Sequence, residues 1–430
     1  MIRGGGMDGD GGAGPDVLVV APFVPAFDRA AGWLRLFLML RMLAGRYRVE
    51  FLGRVDAGDP ESARYVRALE EIGIDVQAAP QVKVADLVGR VGLCVLFEFF
   101  TTAEGALARV RMRRPDLPVV VDSVDLHFVR EMRAARYANR PWLARLKAAR
   151  TKRRELRAYA RADLILAATE NDKTEILREL PSARISVIPT IHEVRDAVPR
   201  FDERRRNSVL FVGGFVHAPN VDAVLFFWRE VLPLVRRVLP DVKVTIVGDR
   251  APREILELGG DGVVVTGWVP EVVPYLDSHC VGIAPLRFGA GMKGKVGEAL
   301  AAGLPVVTTS VGAEGMDLED GKTAMIADSP DGFAAAVVRI CTDPVLHRRL
   351  SEEGRAHARR RWDVASVERR LLEAVESLRG LAPKPMSATD RVATAAQDAY
   401  MRSGLARRVE RAGSVATWYA CRVGRTFRKH

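Results

Sequence analysis

The sequence predicts an α/β protein made of two doubly wound, parallel-sheet (Rossmann-like) domains that face each other across a cleft. Continuous apolar runs such as Val17–Ala21, Val119–Val121, Val244–Val247 and Val281–Ala284 recur along the chain, and runs of this kind mark strands buried on both faces of a parallel sheet. Helical stretches separate the runs, which is the alternation a doubly wound sheet requires. The alternation fails once, across the charged, proline-bearing segment 190–207, and then restarts. A chain of 430 residues is also too long for one ordinary core, so two domains joined by that linker is the consistent reading.

In chain order, residues 1–14 are rich in glycine with a few acidic side chains, have no apolar signal core, and read as a disordered tail. The first domain, 15–189, carries strands at Val17–Ala21, Val49–Leu52, Cys94–Phe97, Val119–Val121, Leu164–Ala168 and Ile185–Ile188. Its helices run over Gly32–Leu43, Glu61–Ile72, Ala103–Arg113, the stretch after His127 as far as Tyr159, and Asp172–Leu180. The second domain, 208–362, has strands at Val209–Val212, Val244–Val247, Val263–Thr266, Val281–Ala284, Val306–Thr309 and Ala324–Ala327. Asn220 is the expected N-cap of the helix through Val231. Helices Arg253–Leu258, Val272–Ser278, Gly294–Ala302, Asp331–Thr342 and Pro344–Arg361 follow, then a closing helix, 363–380, and a basic tail, 381–430.

The net charge of +11 invites a nucleic-acid or anionic-membrane reading. Much of it sits in the helical run Arg145–Arg161 and in the tail from Arg402 to Lys429. An arginine-rich solvated face is the commoner cause of such runs, attraction for a phosphate-bearing ligand the next, and nucleic acid is not an expected partner. The tail mixes Trp418, Tyr419 and Phe427 with its cations, so it is either a solvated extension or an interfacial helix in peripheral contact with an anionic membrane. The lack of a sustained apolar stripe favours the first. Cys94, Cys280, Cys341 and Cys421 show no metal-ligand spacing and read as reduced thiols, and no apolar run is long enough to span a bilayer. The expected location is cytoplasmic, with any peripheral contact at the inner face of the membrane.

The stretch Ala284–Thr309 concentrates the chemistry. A strand ends at Pro285, and a loop containing Gly289, Gly291 and Gly294 carries Lys293 and Lys295. The helix that holds Glu298 stops at Gly303, and Pro305 precedes the next strand. Loop N–H groups at a helix N-terminus beside two lysines form a place for a phosphate. A plain tight turn, with Lys295 and Glu298 as an exposed i,i+3 pair, accounts for the same residues, and the loop by itself does not decide.

Glu298-Ala299-Leu300 with Gly303-Leu304-Pro305-Val306-Val307-Thr308 resembles the Glu-Ala-x-x-x-Gly-x-Pro-Val-Val signature of the family-4 retaining glycosyltransferases, whose fold is GT-B. Gly312–Gly315, further on, is also similar to that family, while Phe211–Phe227 and the first-domain segments Val17–Trp33 and Val119–Arg133 are similar to a subfamily of cell-surface polysaccharide transferases. The resemblance runs from Val17 to Leu378 and leaves out both tails. It implies a GT-B-like architecture and transfer of a sugar from a nucleotide-sugar donor to a glycan or lipid-linked acceptor. It further implies retention, no metal and no other cofactor, in cell-surface polysaccharide biosynthesis. Residue by residue, it places Glu298 on the ribose hydroxyls and the backbone of Gly291, Met292 and Lys293 on sugar and diphosphate. Lys293 or Lys295 would counter the leaving-group charge, Gly32 would lie near the diphosphate or acceptor, and His127 would contact the transferred sugar. The expected catalytic residues are therefore His127 and Lys293, and the donor-binding residues Gly32, Gly291, Met292, Lys295 and Glu298. Without the resemblance, His127 beside Asp122 and Asp125 reads as readily as a structural hydrogen-bonding residue. Trp268 reads as core packing sooner than as a neighbour of the base.

The sequence also departs from the family. Paired glutamates with seven residues between them are common there, and the earlier position here is Ala290. An arginine and a lysine often follow the first strand of the second domain, where Gly214 and Pro219 stand; Lys293, Lys295, Arg287 or His217 are the available substitutes. Asp8-Gly9-Asp10 falls in the glycine-rich tail, so no metal site is expected. Two alternatives follow: another GT-B enzyme, a nucleotide-sugar epimerase or hydrolase, which needs an acid or base beyond His127, or a catalytically silent glycan-binding or scaffold module.

Overall fold

The computed structural model describes residues 14–56, 58–137, 140–289, 291–388 and 391–392. Two sheets dominate it. The first has seven strands, β1 Val17–Phe23, β2 Val49–Arg54, β3 Asp75–Ala79, β4 Cys94–Glu98, β5 Val119–Asp122, β6 Leu164–Ala167 and β7 Ile185–Val187, in the order β3-β2-β1-β4-β5-β6-β7. The second has six, β8 Arg205–Val212, β9 Lys243–Val247, β10 Val263–Gly267, β11 His279–Ala284, β12 Val306–Thr308 and β13 Met325–Ile326, in the order β10-β9-β8-β11-β12-β13. Every pairing is parallel. Each sheet therefore reverses direction of winding beside its first strand, between β1 and β4 and between β8 and β11, and opens a crevice beyond the carboxyl ends of those strands.

The apolar runs form strands because each is buried on two sides. In β1, Val17, Val19 and Ala21 join the core under the helix Ala31–Ala44, while Leu18 and Val20 join the core on the opposite face. β3 is a strand that the sequence pattern did not predict: its residues, Asp-Val-Gln-Ala-Ala, contain no apolar run, and as an edge strand it pairs only with β2. The expected N-cap at Asn220 is also corrected. The helix starts at Ala218 with Pro219 in its first turn, where the fixed φ of proline suits a helix start, so His217 takes the cap position and Asn220 is buried within the first turn.

The chain crosses between the sheets twice. After helix Pro344–Trp362, helix Val364–Glu376 returns to the first domain, where Val367, Leu371 and Val375 pack with Leu40, Leu43 and Tyr47. The two crossings touch where the His192 N–H donates to the Trp362 carbonyl at 2.9 Å. Arg35 is buried, and its guanidinium donates to both Asp122 carboxylate oxygens and to the carbonyls of Ile188 and Pro189, just before the first crossing. This pair locks the end of β5 to the residues that follow β7. Removing one partner of such a pair costs about 3–5 kcal/mol, because the other charge stays buried.

Candidate active site

The motif segments all leave the carboxyl ends of strands and meet between the domains. Gly291, at φ +68°, packs on the first-domain turn after β5, where an added Cβ would lie 2.9 Å from the Asp125 Cβ. At Gly294 an added Cβ would lie 2.8 Å from the Ala31 Cβ, so the starts of helices Ala31–Ala44 and Gly294–Ala301 face each other across the boundary. Neither helix has a side-chain cap. Free N–H groups and the positive ends of two helix dipoles thus converge on one place, which is an arrangement for an anion. Gly32 lies in the same corner, the direction of its missing side chain 3.7 Å from Val124.

Lys293 and Lys295 behave differently. The Lys293 ammonium turns back to donate to the Gly291 carbonyl at 2.6 Å, and burial pushes its pKa down to about 8 despite the carboxylates of Glu314, Asp172 and Asp125 nearby. Lys295 reaches towards the loop after β8, donating to Asn220 Oδ1 at 2.5 Å and lying 4.2 Å from the centre of the Phe211 ring. Burial, reinforced by the charge on Lys293, brings it down to about 7. The surface pair between Lys295 and Glu298 is not formed. Among the described residues Glu298 has no hydrogen-bond or ion-pair partner, and burial raises its carboxyl to about 6. Met292 accepts a hydrogen bond at its sulfur from Thr190 Oγ1 of the linker.

On the first-domain wall, the His127 ring stands edge-on to Phe99 and Phe100, with centroids 5.6 and 5.3 Å away. Its Nδ1 lies 3.6 Å from Asp125 and 3.9 Å from Glu155, too far for a hydrogen bond, and has no partner. Glu155, fully buried, instead accepts from the N–H groups of His127 and Phe128, closing the start of helix His127–Ala134 with a carboxylate. At the other end of that helix Arg133 makes a two-pronged pair with Glu314 and donates to the Gly289 carbonyl at 2.9 Å. This clamp between domains was not singled out in the sequence, although both partners stand inside the motif segments. Next to it is a cavity of about 240 Å³, lined by Val129, Arg133, Asn171, Asp172, Glu175 and Glu314 among others. Asp172 accepts there from Thr169 Oγ1 at 2.8 Å, and burial raises it to about 6. Trp268, just after β10, is 43% exposed with the Arg29 guanidinium 4.6 Å above its ring, so core packing is not its role.

Residues 206–343 match the family model described as Glycosyl transferases group 1. The match spans the second sheet, from β8 to β13. Over 184 residues the chain is 29% identical to an uncharacterised 44.6 kDa protein in the cps region of Klebsiella pneumoniae, a match covering 41% of this chain and 46% of that protein. The chain thus spans about half the length of the curated relative it matches. Among solved structures, sucrose-phosphate synthase from Thermosynechococcus elongatus superposes with a TM-score of 0.65 at 17% identity, over 85% of this chain and 99% of that one. HepE from Anabaena in complex with UDP gives 0.60 at 13%, over 84% and 100%. A glycosyltransferase from Rickettsia africae gives 0.59 at 12%, over 84% and 98%. The fold is the two-domain, Rossmann-like GT-B fold, and the chain resembles the glycosyltransferases that share it.

Within the matched segment, Arg287 is tied to Asp222 and Glu230. Ala290, Asp8-Gly9-Asp10, Cys421 and the aromatic part of the basic tail lie outside the described residues. Cys94, Cys280 and Cys341 are buried free thiols. Among the described residues no three metal-ligating side chains converge, and no helix is long and apolar enough to cross a membrane.

Proposed function

We propose that the chain is a cytoplasmic glycosyltransferase that passes a sugar from a nucleoside-diphosphate donor to a glycan or lipid-linked acceptor for cell-surface polysaccharide, with retention and without a metal. The observation that carries this reading is the meeting of two uncapped helix N-termini, one from each domain, with Lys295 and Glu298 beside them. Unpartnered Glu298 suits the ribose hydroxyls, which donate to a carboxylate. The backbone at Gly32, Gly291 and Met292 frames the diphosphate, and Lys293 and Lys295 offset the charge that grows on it as the bond to the sugar breaks. His127 lies on the opposite wall for the transferred sugar. In the transfer, the bond from the anomeric carbon to the β-phosphate oxygen breaks, the acceptor oxygen bonds on the same face, and the departing phosphate takes the acceptor proton. The UDP complex of the HepE neighbour supports a nucleoside diphosphate, and the cps region of the Klebsiella relative supports polysaccharide.

Incubation with a panel of nucleotide sugars, with and without lipid-linked and polysaccharide acceptors, tests the proposal. Acceptor-dependent nucleotide release is expected. Conversion of the sugar nucleotide without an acceptor would make the chain an epimerase or hydrolase, and absence of UDP and GDP binding would make it a silent module.

A further inference from the structure

We propose that the outer face of helix Pro141–Arg161 is a docking surface for an anionic lipid leaflet. The inner face, Ala148, Thr151, Glu155, Ala158 and Tyr159, is buried. Positions 142, 146, 150, 153 and 157 follow the three- and four-residue spacing of a single stripe on the opposite side. The first half of this stripe is apolar and open: Trp142 is 67% and Leu146 50% exposed, with exposed Leu143 beside them. The second half is Arg150, Arg153 and Arg157, all exposed and without ion-pair partners among the described residues. Glu155 is the helix's one carboxylate, and it is buried on the inner face.

A solvated helix accounts for the arginines but leaves the tryptophan and two leucines without a purpose. A helix lying in a headgroup layer accounts for both, since the ring and leucines enter the acyl boundary and the guanidiniums meet lipid phosphates. Charge complementarity therefore selects an anionic bilayer as the occupant. The placement fits as well. Bonds from Thr151 to Glu131 and from the His127 and Phe128 N–H groups to Glu155 align this helix antiparallel to His127–Ala134. Its apolar turns then stand at the Arg133 end, and Val129 and Arg133 line the cavity between the domains. Delivery of a lipid-linked acceptor to that cavity rests on the proposed transferase reading; the docking itself does not.

Flotation of the full chain with phosphatidylcholine vesicles, with and without phosphatidylglycerol, tests the proposal. Three variants are compared with the unaltered chain: Trp142→Ser/Leu146→Ser, Arg150→Glu/Arg153→Glu/Arg157→Glu, and Trp418→Ser/Tyr419→Ser/Phe427→Ser in the tail. The chain should float only with phosphatidylglycerol, the tail variant should keep this binding, and the charge-reversed helix should lose on the order of a hundredfold in partitioning at low salt. The serine variant should lose it as well, while both helix variants keep the thermal unfolding midpoint of the unaltered chain as a check on folding. Helix variants that float like the unaltered chain would overturn the proposal, as would a chain that ignores anionic vesicles. So would helix variants that break up a dimer in sedimentation while still floating, because a second copy would then be the occupant. Vesicle binding by a chain that transfers no sugar would leave the docking surface standing and sink the transferase reading alone.

Discussion

The loops after β8 and β11 sit on either side of the switch point of the second sheet, yet they are built in opposite ways. The loop after β8, Gly213 to His217, has no lysine or arginine and is held by Asn220, whose side-chain amide donates to the Gly214 carbonyl at 2.6 Å. The loop after β11 and the first turn of the helix that follows it carry one lysine each, and the second leans across: an added Cβ at Gly213 would lie 2.6 Å from the Lys295 ammonium. The difference teaches that a cation can be supplied to one loop from its neighbour across the switch point. Lys293, two residues earlier, stays at home on its own loop.

Four experiments bear on this comparison. Glu298→Ala should have the largest effect, lowering kcat/KM by roughly a thousandfold, because the unpartnered carboxylate proposed to hold the donor ribose is lost. Lys295→Met should weaken UDP or GDP binding by about a hundredfold through loss of a charge-assisted contact in a buried place. Among the described residues, none but its chain neighbours lies within 4 Å of where a Gly214 Cβ would point, so adding Gly214→Arg to that variant should restore part of the affinity; failure of the rescue would show that the two loops do not share one ligand. Lys293→Met should cost only about tenfold in affinity, since its ammonium is already held by the Gly291 carbonyl and faces carboxylates. The smallest effect is in proton exchange. With Lys295 brought down to about 7, it is mostly neutral at about pH 8, and a bound diphosphate favours its charged form. Nucleotide binding should then take up protons, measured by calorimetry in buffers of different ionisation heat, and affinity should fall as pH rises above about 7; Lys295→Met should reduce the uptake, leaving the share of Lys293.

The sheets were legible in the sequence because parallel strands buried on both faces must be continuously apolar, as Val17–Ala21 and Val281–Ala284 are. β3 was not, because an edge strand with one partner can be Asp-Val-Gln-Ala-Ala and leave no such mark. Asn220 misled because a capping residue type stood one position after a proline, and the proline fixed the helix start. Long-range pairs were the hardest to read. Arg35 is one of two cations, with Arg41, in the apolar run Leu34 to Leu43, and nothing local says that its partners are Asp122 and the carbonyls of Ile188 and Pro189. Arg133 and Glu314 were quoted within separate motifs, but their clamp exists only once the domains close. The exposure of Trp268 likewise depends on what stands opposite, Arg29 from the other domain.

The central claim is that the second domain holds a nucleoside diphosphate through Lys295 and the facing helix N-termini. Titration of the unaltered chain and of Lys295→Met with UDP and GDP tests it most directly. Saturable binding of at least one nucleotide, weakened by about a hundredfold in the variant, is the predicted result; no binding to either protein, or equal binding to both, would contradict it.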